Sequence, residues 1–403
     1  MKKLWNKDYI LLLQGSVVST IGDLMYSVAI GYWVYDKTGS NALMGIMSSI
    51  SMFVFMFLSP FAGNIIDKCN RKWILVGMDL LQSVIMVTIG VLAYFDKLNV
   101  PGVLIAALLA SLGSVFYSPA ASTLMLDIIP RDDMVRGQSI FSGAQSFINL
   151  VGSAFSGVMV AFFGVPLIII LNGISNLYSA ITELFIKVPR SVSQGESVTV
   201  KGILKDFSLA IKSIISDKCL QIFVPCAILL NLLAAGAFSL ILPFCLEKEF
   251  TVDMYGYLMA VWTAASLICV VILGAVKFGP KARYIIMAVG FSSSAIFMIA
   301  AYLSNDFVLM CVFSFIGAFT NCAGNTVFNA SLMLALPEKN RGSILGFFNS
   351  ACIGGSALST VIYGFLGEIF PLYITFSIGS FLSLAPMIFL CFNKKTRDFI
   401  ISH

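Results

Sequence analysis

The sequence predicts an all-α integral membrane protein with twelve transmembrane helices in two six-helix, pseudo-symmetric halves. Three observations lead to this fold class. Of the 403 residues, 59% are hydrophobic and 11% are charged, whereas about 25% are charged in a typical soluble protein. Apolar segments recur at the length of roughly 20 residues that a helix needs to cross the hydrocarbon. Apolar and polar residues do not alternate within them, as they would in the strands of a membrane barrel.

Twelve apolar segments follow one another along the chain. The first follows two lysines and resembles a signal peptide, but it is too long for one and contains Asp23, so it is interpreted as a retained helix. The nine cysteines form no Cys-x-x-Cys pair, which indicates neither a metal site nor a disulfide framework. The predicted spans are 9–35, 41–66, 73–95, 101–124, 138–163, 165–187, 220–246, 254–276, 284–304, 307–334, 342–366 and 371–392.

The basic residues predict the orientation of these spans. When the loops are assigned alternately to two sides, all Lys and Arg residues except Lys37, Lys97 and Lys248 fall on one side. Basic loops stay in the cytoplasm, so both termini are expected there. This bias accounts for the net charge of +5, which therefore does not indicate a nucleic-acid-binding surface.

Three regions are predicted: a six-helix bundle at 1–187, a cytoplasmic linker at 188–219, and a second six-helix bundle at 220–403. The linker contains an amphipathic helix that is expected to lie on the membrane surface, as a plain connection or as a regulatory element. Its apolar face is formed by Ile203, Leu204, Phe207, Ala210, Ile211, Ile214 and Ile215.

An internal repeat relates the two halves. The segment Thr123–Leu126 is followed by a proline, an Arg-Gly pair and two glycines, Gly143 and Gly152. The segment Ser331–Leu334 precedes the same features, ending in Gly346 and Gly355. Parallel repeats of this kind build transporters whose substrate site lies between the halves near the midplane.

A charged loop between the second and third spans carries the most specific motif. Residues 63–72 read Gly-Asn-Ile-Ile-Asp-Lys-Cys-Asn-Arg-Lys, which resembles the loop signature of the major facilitator superfamily. Asn70 replaces the usual second glycine, and it is expected to adopt the left-handed turn that glycine would. The segment around Ser118-Pro119 and the pair Gly22-Asp23 are similar to the macrolide-efflux type of facilitator, a bacterial group that includes siderophore and lysophospholipid transporters.

The resemblance implies a conformational latch at this loop. Asp127 would pair with Arg71, and Asp67 would face the start of the eleventh helix near Gly342, holding one state until the halves rock. The alternative is a static set of salt bridges that stabilises the protein little. An Asp67→Asn variant with an unchanged transport rate would contradict the latch. The expected latch residues are Gly63, Asp67, Arg71, Lys72 and Asp127.

Asp23 is the main candidate for function. It lies about 20 Å along the first helix by helix rise, close to the middle of the membrane. An unpaired carboxylate is costly there, so Asp23 would bind and release a proton or pair with a cationic substrate. The alternative is a protonated acid that bonds to Ser19, Ser27 or a neighbouring helix. Asp79, one to two turns inside the third helix, can reach back toward the cytoplasmic loops and is interpreted as structural, with a share in proton coupling beside Asp23 as the alternative.

A wet cavity is predicted from polar and aromatic residues on the helices that should line it. Interhelical hydrogen bonding is the alternative explanation. Such a cavity suits a bulky amphipathic compound. Besides Asp23, the expected proton- or substrate-binding residues are Tyr26, Tyr117, Asn231, Asn321 and Asn325, with Phe116 and Asn329 nearby in sequence.

The glycines of the fifth span resemble the antiporter motif only in part, because Ser156, Val160 and Ala161 replace expected motif residues. Close helix packing explains Gly143, Gly152, Gly346 and Gly355 equally well. The fourth span also lacks the arginine that many proton antiporters have.

The sequence therefore predicts a monomeric exporter of small amphipathic compounds in the bacterial plasma membrane. It would work by proton antiport and alternating access, without a cofactor or metal, and with the bilayer and its substrate as partners. The resemblance leaves a lysophospholipid or siderophore transporter open, and a non-transporting membrane sensor is a further alternative. No Ser/His, paired-Asp or metal-ligand arrangement that would indicate an enzyme occurs within the spans.

Overall fold

The computed structural model is all-helical over the residues that it describes, which are 4–130, 133–187, 208–209, 211–217, 219–275, 278–335, 341–393 and 397. The helices are α1 Lys7–Thr38, α2 Asn41–Lys68, α3 Arg71–Tyr94, α4 Val100–Ile128, α5 Met134–Phe163, α6 Val165–Leu184, α7 Leu220–Ser239, α8 Ile241–Glu247, α9 Val252–Ala275, α10 Pro280–Leu303, α11 Phe307–Ala335, α12 Arg341–Ile369 and α13 Leu372–Phe392.

Eleven of these helices are long and apolar enough to cross a membrane, counted over the described residues. Large apolar side chains such as Val84, Phe162 and Val271 are exposed on their outer faces, as contact with lipid requires. The predicted span 138–163 lies within α5, a helix of 30 residues that is not among the eleven. The all-helical membrane fold is confirmed, whereas the count of twelve spans is not established.

Asparagines cap several helix starts. Asn6 and Asn99 each accept a hydrogen bond from the backbone N–H three residues further on, at 2.9 and 2.8 Å. Asn70 accepts from the backbone N–H of Lys72 at 3.2 Å and has a φ of −72°. The predicted left-handed turn at Asn70 is therefore wrong, because this residue serves as the N-cap of α3. Gly39, with a φ of 62°, is the residue that ends a helix in the left-handed region.

The predicted span 220–246 is divided into two helices at Leu240. Pro243 is the reason, because it has no N–H to donate to the carbonyl of Ser239, and its ring crowds that carbonyl. Leu240 leaves the helical conformation, with φ −108° and ψ 15°. The short helix α8 then continues to Glu247.

The chain forms two compact units, each with its own core. In unit 1, α6 packs against α1 and α3, and in unit 2, α7 packs against α12. Ile214, from the helical residues 211–216, is buried in the core of unit 2, whereas the rest of the predicted amphipathic face up to Phe207 lies outside the described residues. Unit 1 contains residues 1–39, 53–198 and 251–256, and unit 2 contains residues 40–52, 199–250 and 257–403.

Two short segments depart from the predicted domain boundaries. Residues 40–52, the first part of α2, belong to unit 2, where the Gly45 backbone lies against Thr360 and Gly364 of α12. Residues 251–256, the start of α9, belong to unit 1, where they lie against Gly157. In both places a missing side chain allows two helix backbones to approach closely.

Candidate functional site

A polar cavity of about 330 Å³ lies inside unit 1. It brings together Asp23 from α1, Asp79 from α3 and Tyr117 from α4. Asp79 was expected to reach toward the cytoplasmic loops, but it is buried and lines this cavity instead. The other polar lining residues are Ser16, Ser19, Thr20, Gln82, Ser114, Ser118, Ser122, Gln145 and Asn176.

Asp23 faces the cavity because α1 and α6 approach each other closely. At Gly22, an added methyl group would lie 2.6 Å from Asn172 Oδ1 and 3.2 Å from its Cα, so only glycine permits this contact. The next residue, Asp23, consequently lies beside Asn172 and lines the cavity together with Asn176 of α6. Asp23 is an exposed residue, and part of its surface faces the cavity.

The serines of α1 are not the partners of Asp23. Ser19 Oγ donates to the Ser16 carbonyl at 3.2 Å, and Ser27 Oγ donates to the Leu24 carbonyl at 2.8 Å. The neighbouring helix α6 supplies the polar contacts instead. Both the proton-binding and the structural interpretation of Asp23 are compatible with this geometry, so its role stays a prediction.

Glu183 is a buried acid that the sequence reasoning missed. Its exposed fraction is 0%, and its Oε1 accepts a hydrogen bond from the Tyr117 hydroxyl at 3.0 Å. A signal for it was present, because polar residues recur at intervals of four, three and four residues on one face of the otherwise apolar helix α6. This face, which we call the α6 polar stripe, consists of Asn172, Asn176, Ser179 and Glu183, all buried.

The remaining residues of the predicted cavity lie in unit 2. A cavity of about 560 Å³ is lined there by Asn231, Asn321 and Asn325. Asn231 accepts a hydrogen bond from Ser356 Oγ at 3.0 Å, and Asn325 Nδ2 donates to Asn321 Oδ1 at 2.8 Å. These amides therefore have partners, yet they still present polar edges to the cavity. Asn329 and Phe116 are not among the lining residues of either cavity, and neither is Tyr26, which remains within electrostatic reach of Asp23.

An aromatic pair in this second cavity was also missed. Phe238 and Trp262 stack with ring centroids 5.4 Å apart and an interplanar angle of 25°. The indole Nε1 of Trp262 is buried and has no hydrogen-bond partner among the described residues. The cavity therefore offers an apolar ring surface, whereas the indole N–H is enclosed by protein atoms.

The charged loop forms one ion pair of the predicted latch. Arg71 Nη1 lies 2.6 Å from Asp127 Oδ2, and the two side chains are 14% and 15% exposed. Lys72 Nζ donates to the Leu184 carbonyl at the end of α6 at 2.6 Å, where unpaired helix carbonyls favour a cation. The surroundings of Gly63 and Asp67 lie outside the described residues, so the latch stays a prediction.

The two glycines of each repeat pair differ in how closely other helices pack against them. An added methyl at Gly152 would meet Leu24 of α1 at 2.6 Å, and one at Gly355 would meet the Ile228 carbonyl of α7 at 3.1 Å. A methyl at Gly143 or Gly346 would meet no atom of the described residues within 4 Å. Close helix packing thus explains the second glycine of each pair, while for the first it stays a prediction.

A family model described as "Transmembrane secretion effector" matches residues 3–399, almost the whole chain. This chain belongs to that family. Transmembrane secretion effectors of this type are transporters of the major facilitator superfamily, so the resemblance found in the loop motif is confirmed.

Two curated relatives of this transmembrane secretion effector are similar at low identity. Macrolide efflux protein A of Streptococcus pyogenes is 22% identical over 186 residues, which are 46% of this chain and 46% of that protein. The putative bacilysin exporter BacE of Bacillus subtilis (strain 168) is 25% identical over 207 residues, half of each chain. The chain thus spans about half the length of the curated relatives it matches.

Solved structures match the fold of the whole transmembrane secretion effector. A bacterial homologue of the human lysosomal transporter Spinster has a TM-score of 0.70 at 15% identity and covers 99% of this chain and 97% of its own. The nucleoside transporter NupG has a TM-score of 0.75 at 13% identity, with coverages of 94% and 97%. At these identities the likeness establishes the fold alone.

Proposed function

We propose that this chain is a secondary active exporter of small amphipathic compounds, driven by proton antiport through Asp23. The family and the fold are those of membrane transporters, and relatives with efflux names support export. The observation that carries proton coupling is the position of Asp23, which lies inside α1 and lines the polar cavity of unit 1. An acid held inside a span, with amide neighbours and access to a cavity, can bind a proton and release it.

The substrate contacts are assigned by this proposal to the cavity of unit 2. Its volume of about 560 Å³ falls in the range of roughly 300–1,000 Å³ typical of small-molecule sites. The stacked pair Phe238 and Trp262 suits an apolar or aromatic portion of the substrate. The amides supply further hydrogen bonds, as an amphipathic compound requires.

The location and the mechanism complete the proposal. The transporter would lie in a bacterial plasma membrane with both termini in the cytoplasm, act as a monomer and move substrate by alternating access. Its energy source would be the proton gradient, and it would need no cofactor.

The experiment that tests this function is substrate-dependent proton flux in proteoliposomes under an imposed pH gradient. The panel would include macrolides, cationic dyes and lysolipids, which also separates drug export from lipid transport. For Asp23→Asn we expect the flux to fall at least tenfold, to the level of empty vesicles, because the amide cannot exchange a proton.

A matched control is available on the same helix. Asp36 is an exposed acid near the end of α1 and does not line the cavity, so Asp36→Asn should leave the flux unchanged. Equal flux in wild type and Asp23→Asn would contradict proton coupling through Asp23. Absence of any substrate-dependent proton flux in wild type would contradict proton antiport altogether.

A further inference from the structure

Two buried acids from neighbouring helices meet at the wall of the unit 1 cavity. Asp79 of α3 is 3% exposed and Glu183 of α6 is 0% exposed. They meet because α3 and α6 pack closely: at Gly173 an added methyl would lie 2.9 Å from the Val87 backbone nitrogen. Tyr117, whose hydroxyl binds Glu183, lines the same cavity as Asp79, so the two acids lie around one tyrosine.

The hydrogen bonds leave one oxygen of each acid unused. Glu183 Oε1 accepts from the Tyr117 hydroxyl at 3.0 Å, whereas Glu183 Oε2 and Asp79 Oδ2 are buried without a partner among the described residues. The Ser179 hydroxyl lies near both Asp79 and Tyr117, but it makes no well-aligned hydrogen bond. Asp79 lines the cavity, so a proton from the cavity can reach its side chain.

Electrostatics decides what this pair can bind. Among the residues that the structure describes, the other ionisable groups that act on it are Asp23 from α1 and Tyr117 from α4, neither of which is a cation. Lys72, which lies near the end of α6, donates to the Leu184 carbonyl. Two adjacent buried carboxylates without a cation cannot both be ionised at an acceptable cost. A single proton relieves the repulsion and turns one unpartnered acceptor into a donor.

We propose that Asp79 and Glu183 form a second proton-binding site, which holds one proton between them and exchanges it during each transport cycle. Tyr117 is a positioning residue, because its hydroxyl fixes Glu183 Oε1 and leaves Oε2 for the proton. On release both carboxylates are charged, a state that is affordable only when water fills the cavity, and the proton passes through that water to Asp23. No electron transfer is involved. This inference rests on the proposed proton antiport, and it makes the cycle a two-proton cycle.

The bound proton is tested by infrared titration of the carboxyl C=O band in purified protein, which needs no transport. In the Asp23→Asn background we expect a protonated-carboxyl band at neutral pH. The band should be lost when Asp79→Asn and Glu183→Gln are added together. Tyr117→Phe should shift the band without removing it. Asp36→Asn is the control and should change nothing, because that acid is exposed and lies outside the cavity. Absence of the band in the Asp23→Asn protein would overturn the proposal.

The exchange of this proton is tested by counting protons moved per substrate in proteoliposomes. We expect the ratio to fall about twofold in Glu183→Gln, with substrate binding retained, and Asp79→Asn gives the same test if the first variant does not fold. An unchanged ratio would overturn the proposal while leaving Asp23 as the proton carrier. If the wild-type protein showed no proton flux, the proposed function would be contradicted. The infrared band would then still test whether Asp79 and Glu183 bind a proton.

Discussion

The two cavities of the molecule differ in chemistry although the two halves share a repeat. The cavity of unit 1, about 330 Å³, has two acids in its wall and a third directly behind Tyr117. The cavity of unit 2, about 560 Å³, has only neutral residues among its described lining, including the Phe238 and Trp262 stack. A shared architecture therefore fixes where the cavities form, and the residues on each helix face decide what they bind.

The structural origin of this difference lies in the helices that back each cavity. In unit 1, α6 presents the α6 polar stripe toward α1 and α3, so every position of that face is polar and buried. In unit 2, the core is formed by rings and aliphatic side chains such as Phe223, Phe291 and Phe328. Buried polar groups usually find partners, and in unit 1 two of them, Asp79 and Glu183, are acids with one buried oxygen that has no partner among the described residues.

The largest effect is expected from a change that forces α1 and α6 apart. Gly22→Ala places a methyl against Asn172 and should lower the free energy of unfolding by about 1–3 kcal/mol, the usual cost of overpacking. It should also displace Asp23 from its amide neighbours and weaken proton coupling. Denaturant unfolding in mixed micelles measures the first effect, and proton flux measures the second.

Gly143→Ala is the matched control for that change. Its methyl would meet no atom of the described residues within 4 Å, and alanine favours a helix over glycine by roughly 0.5–1 kcal/mol. We expect equal or slightly higher stability. If Gly22→Ala were as stable as Gly143→Ala, the close approach of α1 and α6 would not be what holds the acidic cavity in place.

A smaller effect should separate the two cavities functionally. Trp262→Phe keeps a ring beside Phe238 but reduces the ring area that faces the cavity, so the Kd for substrate should rise at most about threefold. Trp262→Ala also removes the stack, worth about 0.5–1.5 kcal/mol, and should raise the Kd up to about tenfold. The number of protons exchanged per substrate should stay constant in both variants, because no proton-binding group is touched.

Trp73 offers a matched substitution outside both cavities. It is 60% exposed at the start of α3, and Trp73→Phe should not alter the Kd. If Trp262→Ala left the Kd for substrate as unchanged as Trp73→Phe does, the unit 2 cavity would not contact the substrate.

The sequence predicted most of the fold because hydrophobic length and helix caps are local properties. Asn6 and Asn99 begin helices where the apolar segments begin, and the basic loops are equally local. The division at Leu240 could have been read from Pro243, which occurs within the predicted span. The assignment of residues 40–52 to unit 2 could not, because it depends on the contact of Gly45 with α12.

The candidate site was predicted less completely for a physical reason. Asp23 and Tyr117 could be selected because each lies inside an apolar segment on an expected cavity helix. Glu183 was overlooked because it is near the end of its segment, where an acid is ordinarily solvated. Its burial depends on the packing of α6 against α1 and α3 and on the Tyr117 hydroxyl, and these are tertiary contacts. Trp262 was missed likewise, since its stack with Phe238 joins two helices.

In the proposed mechanism the acids of unit 1 bind protons and the neutral cavity of unit 2 binds substrate. This division is tested by measuring, in the same Asp23→Asn proteoliposomes, both gradient-driven substrate accumulation and substrate exchange without a gradient. We expect accumulation to be lost while exchange continues near the wild-type rate. Loss of both activities in folded protein, or accumulation that persists, would contradict it.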